Sequence, residues 1–358
     1  MLDNLEAYKK FDQSLVGDSI SSLPQQIAQV INELDQIKIP SSYSNVTHIV
    51  VNGMGGSNLG ANIIKTVFAK ELKVPMTITP GYHVPGFVDH RTLYILSSYS
   101  GSTEEVLSVY HEVKKRGAKI IAIAAKEDNK LQRLIAKDKI PAYLFEPKVN
   151  PSNQPRLGVG YSIFGMVALI SATGVINVKP KDLTQIITDL EKNNKSLTPS
   201  IATAKNKAKK IANEFFGHMP IMVGAEHLVG NMMAFRNQLC ENSKNFAQYL
   251  ILPDMNHFAM EGLAHPKSNK TDILFLFLES ELYSPRLIKR IALTKAVVKK
   301  NGIKVISHKL TAGTKIGQAF EMLQLGEWIT YYLALLNGVD PVQIKWVDWF
   351  KKELEKLG

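Results

Sequence analysis

Two strand-to-helix turns in the first third of the chain carry the residues best suited to hold a ligand. The second of them, "SSYSGSTEE" at 97–105, sets the hydroxyls of Ser98, Ser100 and Thr103 beside Gly101, immediately before a helical pattern. The first N–H groups of a helix have no intrahelical partner, so hydroxyls gathered there make a neutral cradle for an anion such as a terminal phosphate. One hydroxyl is enough to cap a helix, and three exceed that need, which favours the cradle over a plain cap. The other turn closes "THIVVNGMGGSNLG" at 47–60 and offers Gly55, Gly56 and Ser57. It is not a dinucleotide loop, because the third glycine counted from Gly53 and Gly55 falls on Asn58. Nor is it a P-loop, because Gly60 is followed by Ala61 and Asn62 where Lys and Ser or Thr would stand.

The elements that must position these turns are legible as an alternation. Short β-rich runs, "HIVVN", "MTIT", "TLYILS" and "KIIAIAA", alternate with helical patterns near 58–70 and 103–116. Such an order predicts parallel strands joined by crossover helices. A long helical pattern runs from 156 to Thr173, and the Lys-rich stretch near 190–200 is the best place for a boundary. A second alternation follows: "PIMVGA" at 220–225, a helix from about 227, "QYLIL", "DILFLFL", a helix near 285–300, "IKVIS" and a final pair of helices. The second half repeats the plan of the first, with "VVNGMGGS" and "IMVGAEHL" as corresponding turns. The expected fold is therefore α/β, two similar subdomains, each a parallel sheet flanked by helices, over 1–195 and 196–358. A chain of 358 residues is long enough for two such cores. In parallel sheets ligands collect at the carboxyl ends of the strands, where both candidate turns lie.

Composition narrows the function classes. No apolar run reaches the roughly 18 residues of a membrane span, and the charged opening "MLDNLEAYKKFDQSLVGD" lacks the apolar stretch of a signal peptide. The expectation is a cytoplasmic protein with no membrane partner. The one cysteine, Cys240, has no disulfide or metal partner and is expected to be a small buried hydrophobe. The net charge of +11 suits any anion. Its densest part, "KNNKSLTPSIATAKNKAKK" at 192–210, has no interleaved aromatics and is expected to be a solvated face, so no nucleic-acid partner is expected.

The "SYSGST" loop at 98–103 resembles the phosphosugar-binding loop of sugar isomerase (SIS) domains. "GMGGS" at 53–57, "QPR" at 154–156, "RNQLCENSKN" at 236–245 and "LPDMNH" at 252–257 narrow the resemblance to the bifunctional phosphoglucose/phosphomannose isomerase family, from about residue 45 onward. The resemblance implies two SIS-type subdomains. It implies phosphate binding at Gly55, Gly56, Ser57, Ser98, Ser100 and Thr103, with Glu241 as the base, His257 for ring opening, Arg156 beside the intermediate and Lys351 in the C-terminal helix. Lys352 is the alternative to Lys351 on the same lysine-rich helix. The implied partner is a hexose phosphate, with neither cofactor nor metal. The implied assembly is a homodimer in which His257 completes a neighbour's site.

The chemistry agrees with the residue types. Interconverting a 2-hydroxy aldehyde and a ketone moves one proton between C1 and C2 through a cis-enediol, so one carboxylate can serve both carbons. A guanidinium stabilises the negative charge developing on the enediol oxygens without the proton loss open to a lysine. Histidine is poised near neutral pH for ring opening. Taken without the family, Glu241 reads as a solvated residue at the end of an amphipathic helix 227–241, and Arg156 equally as a helix-start residue after Pro155. The chain departs from the family's usual "PExNHNE" with "PDMNHFAME", where Phe258 and Ala259 replace polar positions and Glu261 is displaced. Val342 in "DPVQ" stands where threonine is frequent. Both changes border the expected pocket and leave open whether glucose and mannose phosphates are both turned over. The competing functions are a phosphosugar-binding SIS regulator without catalysis and the isomerase half of a glutamine-dependent aminotransferase. The first is disfavoured by the roughly 40 residues ahead of the first strand, short for a DNA-reading module and holding one helical pattern. The second is disfavoured by the lack of a glutaminase segment.

Overall fold

The computed structural model describes residues 2–357. Strands β1 (His48–Gly53), β2 (Met76–Ile78), β3 (Thr92–Ser97), β4 (Lys119–Ala125) and β5 (Ala142–Phe145) form one parallel sheet in the order β2-β1-β3-β4-β5. Strands β6 (Met219–Gly224), β7 (Gln248–Ile251), β8 (Ile273–Glu279) and β9 (Lys304–Lys309) form a second in the order β7-β6-β8-β9, also parallel. The central strand β3 is buried at every position and β8 at all but Glu279, as continuous apolar runs covered on both faces must be. The expected repetition is present, the first sheet having one additional edge strand.

In each sheet the order reverses beside the first strand: β2 lies to one side of β1, and β3 to the other. The loops leaving β1 and β3 therefore part in opposite directions and open a crevice at the carboxyl ends of those strands. The two candidate turns are these loops.

Tight helix packing joins the halves. Helix Gly56–Val67, which starts at the first turn, packs against helix Val229–Glu241, which ends at the candidate base. A Cβ on Gly230 would fall 2.5 Å from the backbone C and O of Asn62, so only glycine admits this approach. Helix Lys315–Leu336 is buried along almost its whole length between helices Pro180–Leu197, Lys207–Phe215 and Val229–Glu241, mostly through apolar side chains but with Gln318, Glu321, Gln324 and Glu327 buried among them.

Several expectations need correction. The N-terminal segment holds three helices, Leu5–Phe11, Val16–Ser21 and Leu23–Asn32, where one pattern was expected. The helix expected over 103–116 divides at Val109 into Glu104–Ser108 and Tyr110–Lys115. Helix Lys130–Asp138 and strand β5 were not anticipated. Cys240 is exposed rather than buried, because it lies on the outer side of its helix. Lys209, assigned to a solvated face, is fully buried, its ammonium donating to the carbonyls of Leu2 at 2.7 Å and Pro199 at 2.8 Å and facing Asp3 at 3.2 Å. A buried lysine is tolerated only with such partners. The stretch 190–200 is largely the end of helix Pro180–Leu197.

Candidate active site

The cradle is built by backbone conformation. Gly55 adopts φ +50 and ψ −128, which an L side chain disfavours, and delivers Gly56 and Ser57 to the first turn of their helix. Ser57 is buried, and its Oγ accepts the N–H of Tyr99 at 2.9 Å, so the two turns are tied together and the hydroxyl proton of Ser57 stays free to donate. Gly101, at φ +63, faces Asn129 so closely that a Cβ would overlap its side chain. Ser98 is buried, with its Oγ 2.7 Å from that of Thr103, and receives the Thr103 N–H at 3.4 Å. Ser98 thus braces the loop, while Ser100 is exposed and Thr103 half-buried at the mouth. Among the described residues no hydrogen bond takes up the N–H groups of Gly55, Gly56, Glu104 or Glu105.

Arg156 lies behind this loop: a Cβ on Gly56 would sit 3.6 Å from the Arg156 Cα. The guanidinium is buried and almost fully engaged. Nε donates to Asn242 Oδ1 at 2.9 Å, Nη1 to Gln154 Oε1 at 3.1 Å, and Nη2 to the carbonyls of Pro341 at 3.0 Å and Val342 at 2.5 Å. Four of the five N–H donors of an arginine are thereby spent. What remains is one N–H and a fixed positive charge. Because Gly230 meets the middle of helix Gly56–Val67 and Asn242 meets Arg156 near its start, the two helices run antiparallel and bring Glu241 back toward the cradle.

Glu241 is half-buried, not a solvated helix end. Burial raises its carboxyl above the ordinary range, and the charges of Arg156, Lys244 and Lys351 pull against that rise. A carboxylate moved upward in this way is a better proton acceptor at neutral pH. Lys351 acts on Glu241 from helix Lys345–Lys356, whereas Lys352 is absent from the charges that act on it. Asp348, one turn earlier on the same helix, acts on Arg156.

His257 is not brought to this group. It ends the turn Asp254–His257, is exposed, and its side chain has no hydrogen bond or ion pair among the described residues. Four residues at the site escaped the sequence reading: Asn242, Gln154, Lys244 and Asp340, of which Lys244 donates to the Asp340 carbonyl at 2.6 Å. The neighbours Asn242 and Lys244 of Glu241, and Gln154 of Arg156, could have been flagged from adjacency to a charged candidate. Asp340 opens the "DPVQ" segment that borders the expected pocket, but its place beside Arg156, 184 positions away, is not encoded locally.

A SIS domain is recognised over residues 42–139, and a bacterial phospho-glucose isomerase C-terminal SIS domain over 204–354. Among solved structures, a hypothetical protein from Thermus thermophilus shares the fold with a TM-score of 0.73 at 17% identity, over 98% of this chain and 92% of that one. The bifunctional phosphoglucose/phosphomannose isomerase of Aquifex aeolicus is 28% identical over 91% of this chain and 96% of its own length. That of Caldicellulosiruptor bescii is 30% identical over 95% of this chain and 99% of its own. With similarity running along nearly the whole chain, through both sheets and the cradle at the end of the first, this chain belongs to the bifunctional phosphoglucose/phosphomannose isomerase family.

Proposed function

We propose that the protein interconverts glucose 6-phosphate and fructose 6-phosphate through a cis-enediol. The carrying observation is the half-buried Glu241, raised by burial and flanked by the charges of Arg156, Lys244 and Lys351, on a helix packed against the one that starts at the cradle. The cradle holds the 6-phosphate through Ser57, Ser100, Thr103 and the open N–H groups of Gly55 and Gly56, with Ser98 as a brace. Glu241 removes the C2 proton of the open-chain aldose, the C2–H electron pair forms the C1–C2 double bond, and the carbonyl oxygen at C1 takes a proton. Return of the carboxyl proton to C1, with loss of the O2 proton, completes the ketose. The fixed charge of Arg156 stabilises the enediol oxygens, and Lys351 supports the same charge balance. Mannose 6-phosphate, the C2 epimer, passes through the same enediol and is a second substrate on this reading. The chain divides near 195/196, at the end of helix Pro180–Leu197.

The active form is a homodimer in which His257 opens the sugar ring in a neighbour's site. Support comes from the unpartnered His257, from Phe258 at 58% exposure, and from helix Lys345–Lys356, which buries no residue and leaves Trp346 70% and Phe350 60% exposed. Two-fold pairing would create two equivalent shared sites.

Following glucose 6-phosphate from fructose 6-phosphate with a coupled dehydrogenase tests the reaction, and mannose 6-phosphate is then offered as substrate. Binding of fructose 6-phosphate without turnover would replace the isomerase by a phosphosugar sensor. Mixing inactive Glu241→Gln and His257→Ala proteins under subunit exchange should restore partial activity. No recovery despite demonstrated exchange would put both residues in one subunit's site or remove His257 from the mechanism.

A further inference from the structure

Helix Val229–Glu241 ends in an unusual way. Its C-cap is Asn242, and two residues later Lys244 adopts φ +54, the left-handed conformation that glycine ordinarily supplies after a helix. A side chain held there strains the backbone, which calls for a use of the side chain. The ammonium of Lys244 donates to three carbonyls: Glu241 at 3.0 Å, Asn242 at 3.1 Å and Asp340 at 2.6 Å. Three donors meet three acceptors, and the acceptors belong to two different segments. The first two end the helix that carries Glu241. The third opens the 340–342 turn, whose Pro341 and Val342 carbonyls hold the Arg156 guanidinium.

We propose that Lys244 is a positioning residue, one ammonium that ties the end of the base-bearing helix to the 340–342 turn and so fixes Glu241 relative to Arg156. The inference rests on Glu241 being the base of the proposed isomerisation. Lys244 touches no reacting atom in it; it acts through the helix end and the turn. Two other links run beside this bond: Asn242 reaches the turn by way of Arg156, and just before the turn Asn337 Nδ2 donates to the Ser243 carbonyl at 2.9 Å; Lys244 bonds the turn itself.

Protonation of Lys244 adds a signature. Although the residue as a whole is exposed, loss of hydration at the ammonium, with the nearby Arg156 charge, pushes it down to about 8 against the opposing pull of Asp340 and Glu241. The groups that face it are these three, from the 154–156 turn, the 340–342 turn and its own helix end. Proton loss leaves two N–H donors for three carbonyls, so the tie loosens as pH rises through that value.

Two variants test the assignment beside the wild type. Lys244→Gly suits the backbone conformation and removes the ammonium. Strain relief and the loss of three hydrogen bonds oppose each other, so it should melt within about 5 °C of the wild type while kcat falls about ten- to a hundredfold, the scale of a misplaced reacting group, with KM for fructose 6-phosphate within about threefold of the wild type. Lys244→Arg keeps the charge and cannot lose it, so the alkaline limb of kcat near pH 8 should disappear. Hydrogen exchange of the amides at 241–245 and 340–343 should quicken in Lys244→Gly. Wild-type kcat in Lys244→Gly, or an alkaline limb retained in Lys244→Arg, would overturn the proposal. A wild type that turns over no hexose 6-phosphate would instead remove the isomerase, and unchanged exchange in both segments would then remove the tie as well.

Discussion

The two sheets end in turns of the same topology but differ in the side chains that stand beside their backbone donors. At the ends of β1 and β3 the N–H groups of Gly55, Gly56, Glu104 and Glu105 have no acceptor among the described residues. At the corresponding ends in the second half the N–H groups of Glu226 and His227 are likewise without an acceptor among the described residues, but side chains of the chain itself reach into the turns. The Ala225 N–H meets the Tyr283 hydroxyl at 3.2 Å, and the Ser284 N–H meets Glu226 Oε1 at 3.3 Å. One strand further, after β9, the N–H groups of Thr311 and Ala312 both meet Glu321 Oε2 at 2.9 Å. An internal carboxylate thus stands where the first half leaves room for an outside anion. The repeated fold provides two crevices, and the side chains decide which one stays open. On the proposed reading, the first half holds the substrate and the second half contributes the base.

The largest effect should come from the second half's contribution. Glu241→Gln keeps the shape but cannot accept a carbon-bound proton, so kcat should fall by about two to four orders of magnitude while KM changes little. In the wild type, the acid limb of kcat/KM should lie above the ordinary 4.5, because burial raises this carboxyl and a base works only when deprotonated. Wild-type turnover in the variant, measured by initial rates with fructose 6-phosphate, would break the division of labour.

Next in size is the open cradle. Replacing Ser100 and Thr103 together by Ala removes two hydrogen bonds to a charged group, at about 1.5 kcal/mol or more each, so KM should rise about a hundredfold with kcat much less affected. An unchanged KM would mean that the first half is no more a ligand site than the second.

Closing the comparison from the other side, Glu321→Ala leaves two backbone N–H groups without their acceptor. It should cost about 1–3 kcal/mol of stability in urea unfolding, with KM within about twofold of the wild type. A large rise in KM would show that the second crevice communicates with the substrate.

The last effect is read as a slope with pH and concerns Glu327, on the same buried helix as Glu321 but with both carboxyl oxygens unpartnered among the described residues. Burial raises its carboxyl well above the ordinary value, so above about pH 4.3 the folded state binds more protons than the unfolded state. Stability from this group is complete at low pH and declines as pH rises through that window, by up to about 1.4 kcal/mol per pH unit. Glu327→Gln should flatten the decline between pH 5 and 8. Parallel slopes for variant and wild type would show that Glu327 has a charged partner in the fold.

Sequence by itself determined the alternation of strands and helices, the pairing of the halves and the two turns that form the cradle. These follow from local physics: apolar runs long enough to be strands, glycines where only glycine tolerates the backbone, and hydroxyls at a helix start. Short or borderline elements were less legible. Strand β5 has four residues between Pro141 and Pro147, too few for its alternating burial to stand out. Helix Pro180–Leu197 was hidden by its lysines, which lie on the wet side of an amphipathic helix. Tertiary structure alone decided which charged groups are surface and which are site. Cys240 and Glu241 are adjacent, yet one is exposed and the other half-buried, because helix Val229–Glu241 turns about 100° per residue and only one side faces the 154–156 turn. Lys209 and Lys210 differ for the same reason, one buried among carbonyls and the other in solvent. The bonds from Arg156 to Pro341 and Val342 span 185 and 186 positions, so no local pattern encodes them, and they form only when the two sheets are packed together.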